Sequence, residues 1–475
     1  MKTRKFLIFN CPLSIVHCSL SICIVLCAIA LSGCNIYRKY TPPTDTPDNL
    51  FGRTEVSEGD DASGVGELSW REFFADPLLQ QLIDSALVRN TDIRSARLTV
   101  EKAQASLRAA KLAYLPSLSL APKVSVGGTV APGGAVTPVW TYNIPLQIDW
   151  NIGISGSVTV NKRKSQAVLA QAEAQRDAMQ ANIISAVAQQ YFMLLLLDRE
   201  MEILLATDSL WDKSLETQRA LWENGRSYST AVNQMESSNL SVKMQIVDVQ
   251  RSIRGVENTL CKMLAVTPRP IARSTWGQYE LPARFGTGVP ASLLENRPDI
   301  RLANHTLEEA FYNVASARAA FYPSISLQGI LGWTNGNGAI ADPGALLMQL
   351  AGSLVQPIFA LGKLKAGLNI AKYNQEDKLN QYVQTVIDAG NQVNEALADC
   401  QTAKEKDVLY RRQVEVLQEA FDGTRELMDN GKASYLEVLT AQESLLSAQL
   451  NQATNLYNGS QALIALYIAL GGASK

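Results

Sequence analysis

The sequence repeats itself, and this repeat constrains the fold more than any other feature of the 475-residue chain. Three short motifs occur twice in the same order and at nearly constant spacing. They are Asp-Ile-Arg at 92–94 and 299–301, Pro-Ser-Leu/Ile-Ser-Leu at 116–120 and 323–327, and Asn-Gly-Arg/Lys at 224–226 and 430–432. Such self-similarity predicts a duplicated structural unit.

Both halves of the repeat predict the same order of elements. An Ala-rich helix comes first, at about 78–113 and about 291–320. Each helix ends just before a proline, which disfavours helical backbone at the preceding residue. Two strands, a long helix and a return helix follow. We therefore expect a first repeat over residues 69–275 and a second over 276–475.

The longest helices are predicted over about 159–223 and about 363–429, which contain no proline. Apolar residues recur there every three or four positions, and about 65 residues span about 100 Å. Each helix ends at a pair suited to a sharp reversal, namely Asn224-Gly225 and Asn430-Gly431. Return helices at about 230–264 and about 434–470 are little over half as long. A return helix and a first helix placed end to end have about the length of one long helix. This match predicts a rod of helices with the strands at one end.

One predicted strand alternates strictly between apolar and polar residues over about 13 positions. That length, with aromatic residues near both ends, is typical of outer-membrane barrel strands. Weaker alternation predicts further strands at about 324–333 and, mainly from the repeat, about 351–359. An ordinary sheet covered by helices is the alternative. The face predicted to contact lipid carries Trp140, Tyr142, Ile144, Leu146, Ile148 and Trp150.

The N-terminus predicts a lipoprotein signal peptide over residues 1–33. A basic start is followed by an apolar run too short to span a bilayer comfortably, and then by Leu-Ser-Gly-Cys at 31–34. Cys34 would become the lipidated first residue after cleavage. An ordinary secretory signal or a membrane anchor is the alternative. Residues 34–68, rich in Pro, Thr and Asp, predict an extended strap.

Nothing in the composition or motifs predicts an enzyme, a cofactor or a nucleic-acid partner. The formal net charge is −2, and no Lys/Arg cluster stands out along the sequence. His305 has no second histidine or cysteine nearby, so neither a metal site nor a triad base is predicted. Cys261 and Cys400 are expected to be buried apolar side chains.

Motifs spread over nearly the whole chain after the leader carry a family resemblance. They are Cys34, Tyr40, Trp70, Asp76-Pro77-Leu78, Arg297-Pro298-Asp299-Ile300, Phe-Tyr-Pro-Ser-Ile-Ser-Leu at 321–327, Gln-Pro-Ile-Phe at 356–359 and Gly362-Lys363. Together they resemble the TolC-type outer-membrane efflux factors, and most closely their NodT-type lipoprotein branch.

The resemblance implies a mainly α fold with membrane β-structure. Three copies would form a homotrimer with a twelve-stranded β-barrel, four strands from each subunit, continued by a long periplasmic α-helical barrel. It implies a lipid-anchored channel in the outer membrane of a Gram-negative bacterium. This channel would be the passive exit duct of a tripartite efflux system, with a periplasmic adaptor and an inner-membrane pump of the resistance-nodulation-division (RND) class.

The resemblance also places a periplasmic gate just beyond the second Asn-Gly turn. The matching positions are Glu437 and Thr440, and three Glu437 side chains would form an acidic ring. Thr440 departs from the acidic residue often found there. Ser434 and Glu437 also have the spacing of a capping box, so a helix cap is the alternative. The first turn has no acidic residue close by and is expected to shape the tip and contact the adaptor.

Three other functions fit parts of the pattern. A duct for type I protein secretion would share the architecture, although Cys34 and the Arg-Pro-Asp-Ile segment favour small-molecule efflux. A structural envelope-spanning lipoprotein would not need the alternating strand at 140–152. A periplasmic adaptor would have one helical hairpin and several small β domains, whereas two hairpins are predicted here.

Overall fold

The computed structural model describes residues 38–43, 68–130, 132–134, 136–153, 156–276, 296–335 and 344–472. The predicted signal peptide, Cys34 and most of the strap lie outside them. The first half contains α1 (Trp70–Phe73), α2 (Pro77–Arg89), α3 (Thr91–Leu112), β1 (Ser117–Leu120), β2 (Lys123–Val130), β3 (Val136–Ile152), α4 (Ser157–Glu223) and α5 (Ser229–Met263). The second contains α6 (Pro298–Ala319), β4 (Ser324–Thr334), β5 (Ala345–Val355), α7 (Lys363–Asp429) and α8 (Tyr435–Ala469).

The chain forms two compact units that do not coincide with the two repeats. The sheet unit comprises Met1–Pro43, Lys102–Ala170 and Asn304–Asn380, and it holds all the described strands. The helical unit comprises Thr44–Glu101, Gln171–Ala303 and Gln381–Lys475. Each unit therefore takes segments from both halves of the sequence. The repeat boundary at 275/276 stays a prediction.

The long helices confirm the predicted helical pattern. α4 and α7 each contain 67 residues, and the return helices α5 and α8 each contain 35. Helices of this length depend on tertiary packing of an apolar stripe. In the helical unit that stripe contributes Tyr191 and Leu194 of α4, which pack with Ile83 of α2 and Leu260 of α5. Within the described residues, only α4 has an apolar stretch that could cross a bilayer, and 61% of that stretch is buried inside the protein.

The prediction of one continuous first helix over 78–113 is wrong. The helix breaks at Asn90, which has a non-helical backbone between α2 and α3. Its side-chain oxygen accepts hydrogen bonds from the N–H groups of Asp92 (2.8 Å) and Ile93 (3.3 Å). Its amide donates to the carbonyl of Met263 at the end of α5 (2.9 Å). Asn is a favoured N-cap, so this capping starts a new helix where propensity alone would continue the old one.

The second half repeats this arrangement with different chemistry. Arg297 stands where the repeat aligns Asn90, and its guanidinium donates to the carbonyl of Ala469, the last residue of α8 (2.9 Å). Two residues beyond each return helix, the backbone turns left-handed, with φ of 51° at Ala265 and 79° at Gly471. This conformation ends helices commonly. The duplication seen in the sequence is therefore also present in the geometry of the helix ends.

The strands form one antiparallel sheet in the order β1-β3-β4-β5, with β2 also paired to β3. β1 and β2 pair one after the other with the same edge of β3, so the two together occupy one strand position. The sheet therefore has four strand positions side by side, which we call lanes. Pro122 lies between β1 and β2, and proline cannot donate to a ladder. The last strand was predicted at about 351–359, which is wrong, because it lies at Ala345–Val355 and the chain leaves the ladder before Pro357.

A buried hydrogen-bond node ties α2 to α4 in the helical unit. Asp76 caps α2 by accepting from the N–H of Leu78 (2.8 Å), and its second oxygen accepts from the hydroxyl of Tyr191. That hydroxyl accepts in turn from the N–H of Ser274 (3.0 Å). Burial, with the hydrogen bond to Asp76 as a second cause, raises the pKa of Tyr191 to about 12. The hydroxyl therefore keeps its proton at neutral pH.

Replacing Tyr191 by Phe is expected to lower the free energy of unfolding by about 1–3 kcal/mol, because buried Asp76 and half-buried Ser274 lose their hydrogen bond. Chemical denaturation of the purified protein measures this change. Tyr410→Phe is the control, since no protein hydrogen bond to that hydroxyl occurs among the described residues. The raised pKa stabilises the native state below pH 10, and this contribution should be lost as pH rises towards 12. Equal effects of the two substitutions would contradict the node.

Candidate functional site: the apolar sheet face and the helix tips

The strand register sorts the side chains of the sheet onto two very different faces. Direct partners in an antiparallel ladder share a face, and successive residues alternate. The face that holds Trp150 is apolar on all four lanes. It carries Leu118, Leu120, Val124, Val126, Trp140, Tyr142, Ile144, Leu146, Ile148, Trp150, Ile152, Ile325, Leu327, Leu331, Trp333, Leu346, Met348, Leu350 and Leu354, together with a few glycines.

The opposite face is mainly polar. Two hydroxyls meet across β4 and β5, where Ser326 Oγ lies 2.6 Å from Ser353 Oγ. Val139, Ile330, Leu347 and Val355 are apolar exceptions on this face. The polar side chains are Ser117, Ser119, Lys123, Ser125, Thr141, Asn143, Gln147, Asp149, Asn151, Ser324, Ser326, Gln328, Thr334, Gln349 and Ser353. Such a two-faced sheet suits a position between lipid and water.

Aromatic side chains occupy both ends of the apolar face. Trp150 lies at the end from which the helices emerge, and its indole N–H donates to the carbonyl of Tyr114 (3.0 Å). Trp140 and Trp333 lie towards the other end and are exposed. The six residues predicted to contact lipid thus share one face, and their contact with lipid stays a prediction.

The outer lanes of the sheet have unpaired edges. Among the described residues of one chain, β5 pairs only with β4, and β1 and β2 pair only with β3. An exposed edge presents a row of unsatisfied N–H and C=O groups. In hydrocarbon each such group costs several kcal/mol, so a spanning sheet must close on itself or on other chains.

The two Asn-Gly tips have the same geometry. Gly225 and Gly431 both have φ of 69°, which favours glycine. The N–H two residues after each asparagine bonds back to the helix at 2.8 Å, from Arg226 to Leu221 and from Lys432 to Leu427. Asn224 and Asn430 also donate their side-chain amides to a carbonyl four residues earlier.

The helices that leave the two tips differ in their caps. Ser434 and Glu437 form a full capping box, in which Glu437 Oε2 accepts from the N–H (2.6 Å) and the hydroxyl (2.9 Å) of Ser434. These bonds lower the pKa of Glu437, the backbone N–H contributing most. Thr440, one turn later, is exposed and donates to the carbonyl of Leu436 (2.9 Å). At the first tip, Tyr228 takes the cap position without a side-chain bond and is 82% exposed.

The remaining candidate residues show no reactive arrangement. Cys261 and Cys400 are both buried and free, and burial raises the pKa of the Cys400 thiol to about 12. His305 Nδ1 lies 3.1 Å from Glu308 Oε2. In the described part of the chain, no group of three or more His, Cys, Asp or Glu side chains is placed to hold a metal. Sequence reasoning missed the basic side chains at the helix end of the sheet, because they come from separate segments.

A two-faced sheet with open edges, in a chain that also has paired long helices, is typical of outer-membrane channel subunits. The model of the outer membrane efflux protein family matches residues 82–266 and 289–472, one segment in each half. The chain belongs to this family.

Named relatives extend over almost the full length. The cation efflux system protein CusC of Escherichia coli is 29% identical over 448 residues, covering 94% of this chain and 97% of CusC. The toluene efflux pump outer membrane protein TtgF of Pseudomonas putida is 28% identical, covering 94% and 95%. The probable outer membrane lipoprotein SilC of Salmonella typhimurium is 26% identical, covering 93% and 96%.

Solved structures agree with the fold. A crystal structure of CusC has a TM-score of 0.80 at 27% identity and covers 92% of this chain and all of that one. The open state of the MtrE outer membrane channel of Neisseria gonorrhoeae has a TM-score of 0.80 at 26% identity, covering 92% and 98%. The fold is therefore that of a TolC-like outer-membrane channel, and the chain is an outer-membrane component of an efflux system.

A charge introduced on one face or the other should distinguish the apolar face of the sheet from the polar face. Leu146→Lys puts an ammonium on the apolar face, between Trp140 and Trp150 and away from both aromatic ends, and should destabilise the inserted protein by about 2–4 kcal/mol. Gln147→Lys, its neighbour on the polar face, is the matched control and should change stability little. Urea unfolding of the protein in liposomes measures both. A larger effect at Gln147 would reverse the assignment of the faces.

Proposed function

We propose that three copies of this chain close a twelve-stranded barrel and form a passive exit duct for small molecules. A periplasmic adaptor and an RND-type inner-membrane pump would deliver the cargo, and the duct itself would perform no catalysis. The observation that carries the proposal is the four-lane sheet with two open edges. Four lanes are too few to close around a pore, whereas barrels of about eight or more strands leave no edge. β5 of one copy would pair with β1 and β2 of the next.

The helical unit supports the same closure through its internal repeat. Leu446 and Leu450 of α8 pack against Leu196 and Ile203 of α4, which is the contact between the two hairpins of one chain. Moving back 206 residues from this α8 stripe leads to Leu240, Met244 and Val247 of α5. These are exposed by 54%, 62% and 63%.

A second copy would supply the missing partner of this α5 stripe. Position 409 is the repeat equivalent of Ile203, and it holds an exposed leucine on α7. An α7 helix from the next copy would therefore cover the α5 stripe as α4 covers α8 within one chain. Burial of such side chains contributes roughly 25 cal/mol per Å² of apolar surface.

A double substitution on the α5 stripe is expected to break the oligomer. Leu240→Glu with Met244→Glu buries two carboxylates at the proposed contact, so the trimer should dissociate to monomers. Native mass spectrometry of the detergent-solubilised protein reports the mass directly. Gln234→Glu with Ser241→Glu adds the same charge on the flank of this helix and should leave the trimer intact. A trimer that survives the first pair would place the contact elsewhere.

The relatives support a division of labour between duct and pump. CusC is named for cations and TtgF for toluene, although their identities to this chain are 29% and 28%. Relatives that are almost equally similar to this chain are thus named for different cargoes. We therefore assign the choice of cargo to the pump and not to the duct. We assign adaptor contact to the Asn-Gly tips, and lipid attachment to Cys34, which agrees with the naming of SilC as a lipoprotein.

At the second tip, Glu437 is proposed to act both as a cap and as a gate. Its carboxylate uses Oε2 for the capping box and is exposed to solvent. Three copies around an axis would bring three such carboxylates together, and a ring of carboxylates attracts cations and repels anions. The Ser434 bonds lower the pKa of Glu437 from its ordinary value of 4.5, which favours a charged ring at neutral pH.

Two substitutions should separate the gate from the cap. Glu437→Gln removes the charge but keeps a residue that fits a capping box, so cation selectivity in planar-bilayer recordings should fall several-fold. Ser434→Ala removes the cap but keeps the carboxylate, so selectivity should persist at neutral pH. Losing the Ser434 hydroxyl removes the smaller of the two bonds that lower the pKa of Glu437, because alanine keeps the backbone N–H bond. This pKa should therefore rise slightly, and selectivity should be lost at a slightly higher pH than in the wild type. A loss of selectivity in Ser434→Ala alone would assign the role to the cap.

A further inference from the structure

The sheet unit is strongly basic, although the whole chain has a formal net charge of only −2. Its described residues include fourteen Lys and Arg against five Asp and Glu. Many of these cations lie where the helices meet the sheet, in the last two turns of α3 and α6 and the first two turns of α4 and α7. We call six of them the basic collar: Arg108, Lys111, Lys162, Arg318, Lys363 and Lys365.

Acidic residues are nearly absent from the same level of the structure. The residues of α3 from 102 onwards, of α4 up to 172 and of α7 up to 375 include no Asp or Glu. On α6, Glu308 contacts His305 and Glu309 pairs with Lys164, which is outside the collar. Asp149, near the end of β3, is the acidic residue of the adjoining strands. Among the described residues, no salt bridge involves a collar cation. The collar therefore carries an excess of positive charge that other residues of the sheet unit do not neutralise.

Lys162 lies next to the aromatic end of the apolar sheet face. Its Nζ is 5.9 Å from the centroid of the Tyr114 ring, and the Tyr114 carbonyl accepts the indole N–H of Trp150. Trp150 belongs to the apolar face by register. Tyr and Trp rings at the end of a spanning segment occupy the headgroup level of a bilayer. A lysine just beyond them reaches the level of lipid phosphates.

A second group of collar residues, Lys363 and Lys365, follows β5. Ile358, Phe359 and Leu361 are 95%, 81% and 85% exposed and directly precede Lys363 and Lys365. On α3 the same order occurs from the other direction, because Arg108 and Lys111 precede exposed Leu112 and Leu115 before β1 begins. In both segments, the cations lie on the helix side and the apolar side chains on the strand side. The same order holds in a bilayer, where head groups lie outside the hydrocarbon.

We propose that the basic collar binds the head groups of anionic phospholipids in the leaflet next to the helix end of the sheet. Cations near an anionic bilayer surface are attracted within about a Debye length. A second copy of the chain is a poor counterpart, since the same level of its own sheet unit carries the same positive charge. The proposal rests on the membrane-crossing sheet and is independent of the gate and of the pump.

Native mass spectrometry of the full-length channel released from nanodiscs tests the proposal. With one part phosphatidylglycerol to three parts phosphatidylcholine, the wild type should retain phosphatidylglycerol at about three times its bulk share. Lys111→Gln, Lys162→Gln, Lys363→Gln and Lys365→Gln together should return the ratio to the bulk value. Raising the salt to about 0.5 M should weaken the enrichment of the wild type, since the attraction is electrostatic.

A matched variant controls for the loss of charge. Lys213→Gln, Lys262→Gln, Lys406→Gln and Lys432→Gln remove four exposed cations from the helical unit and should leave the enrichment intact. Lys363→Gln with Lys365→Gln should remove about half of it, which keeps the test valid if the quadruple variant folds poorly. The same enrichment in collar and control variants, or none in the wild type, would overturn the proposal. So would a collar variant that changes oligomeric mass but not lipid ratio.

Discussion

Backbone hydrogen bonding at the two edges of one sheet governs the rest of this structure. In water, the unpaired groups of β5 and of the β1–β2 lane would be hydrated, but in hydrocarbon they have no such option. One copy supplies four lanes, an apolar face and two open edges, so its sheet is too small to form a closed barrel alone. A heterologous edge-to-edge contact must close into a ring to leave no edge, so closure of the sheet would require the helices of the copies to share the same symmetry.

In the proposed trimer, the duplication would solve the same closure problem for the helices. A chain with two similar hairpins can use one kind of contact twice, first within itself and then with a neighbour. The buried α4–α8 contact and the exposed α5 stripe are the two halves of that scheme. The two repeats nevertheless differ in the side chain that holds the end of the return helix. Asn90 caps a helix with a neutral amide, whereas Arg297 holds Ala469, Asp299 and Gln392 with a nearly buried guanidinium.

Much of this fold is readable from the sequence, since a repeat and strict periodicity are local signals. The long helices and the face of β3 follow directly from spacing. The break at Asn90 does not, because its partner Met263 is 173 residues away. The position of β5 was missed because Leu346 and Leu347 are both apolar, which obscures the alternation. For Glu437, the spacing predicted the capping box that the structure contains, whereas a ring across a symmetry axis is not a property of one chain. The basic collar was invisible because it is assembled from four helices.

The unequal caps at the two tips bear on how many partners the duct can hold. Around a closed trimer, six tips would alternate between a capped one with Glu437 and an uncapped one with exposed Tyr228. A partner that recognises the shared Asn-Gly shape would meet six equivalent places. A partner that recognises the tyrosine or the carboxylate would meet only three. The stoichiometry of such an assembly would therefore depend on whether the partner binds the backbone of the turns or the side chains beside them.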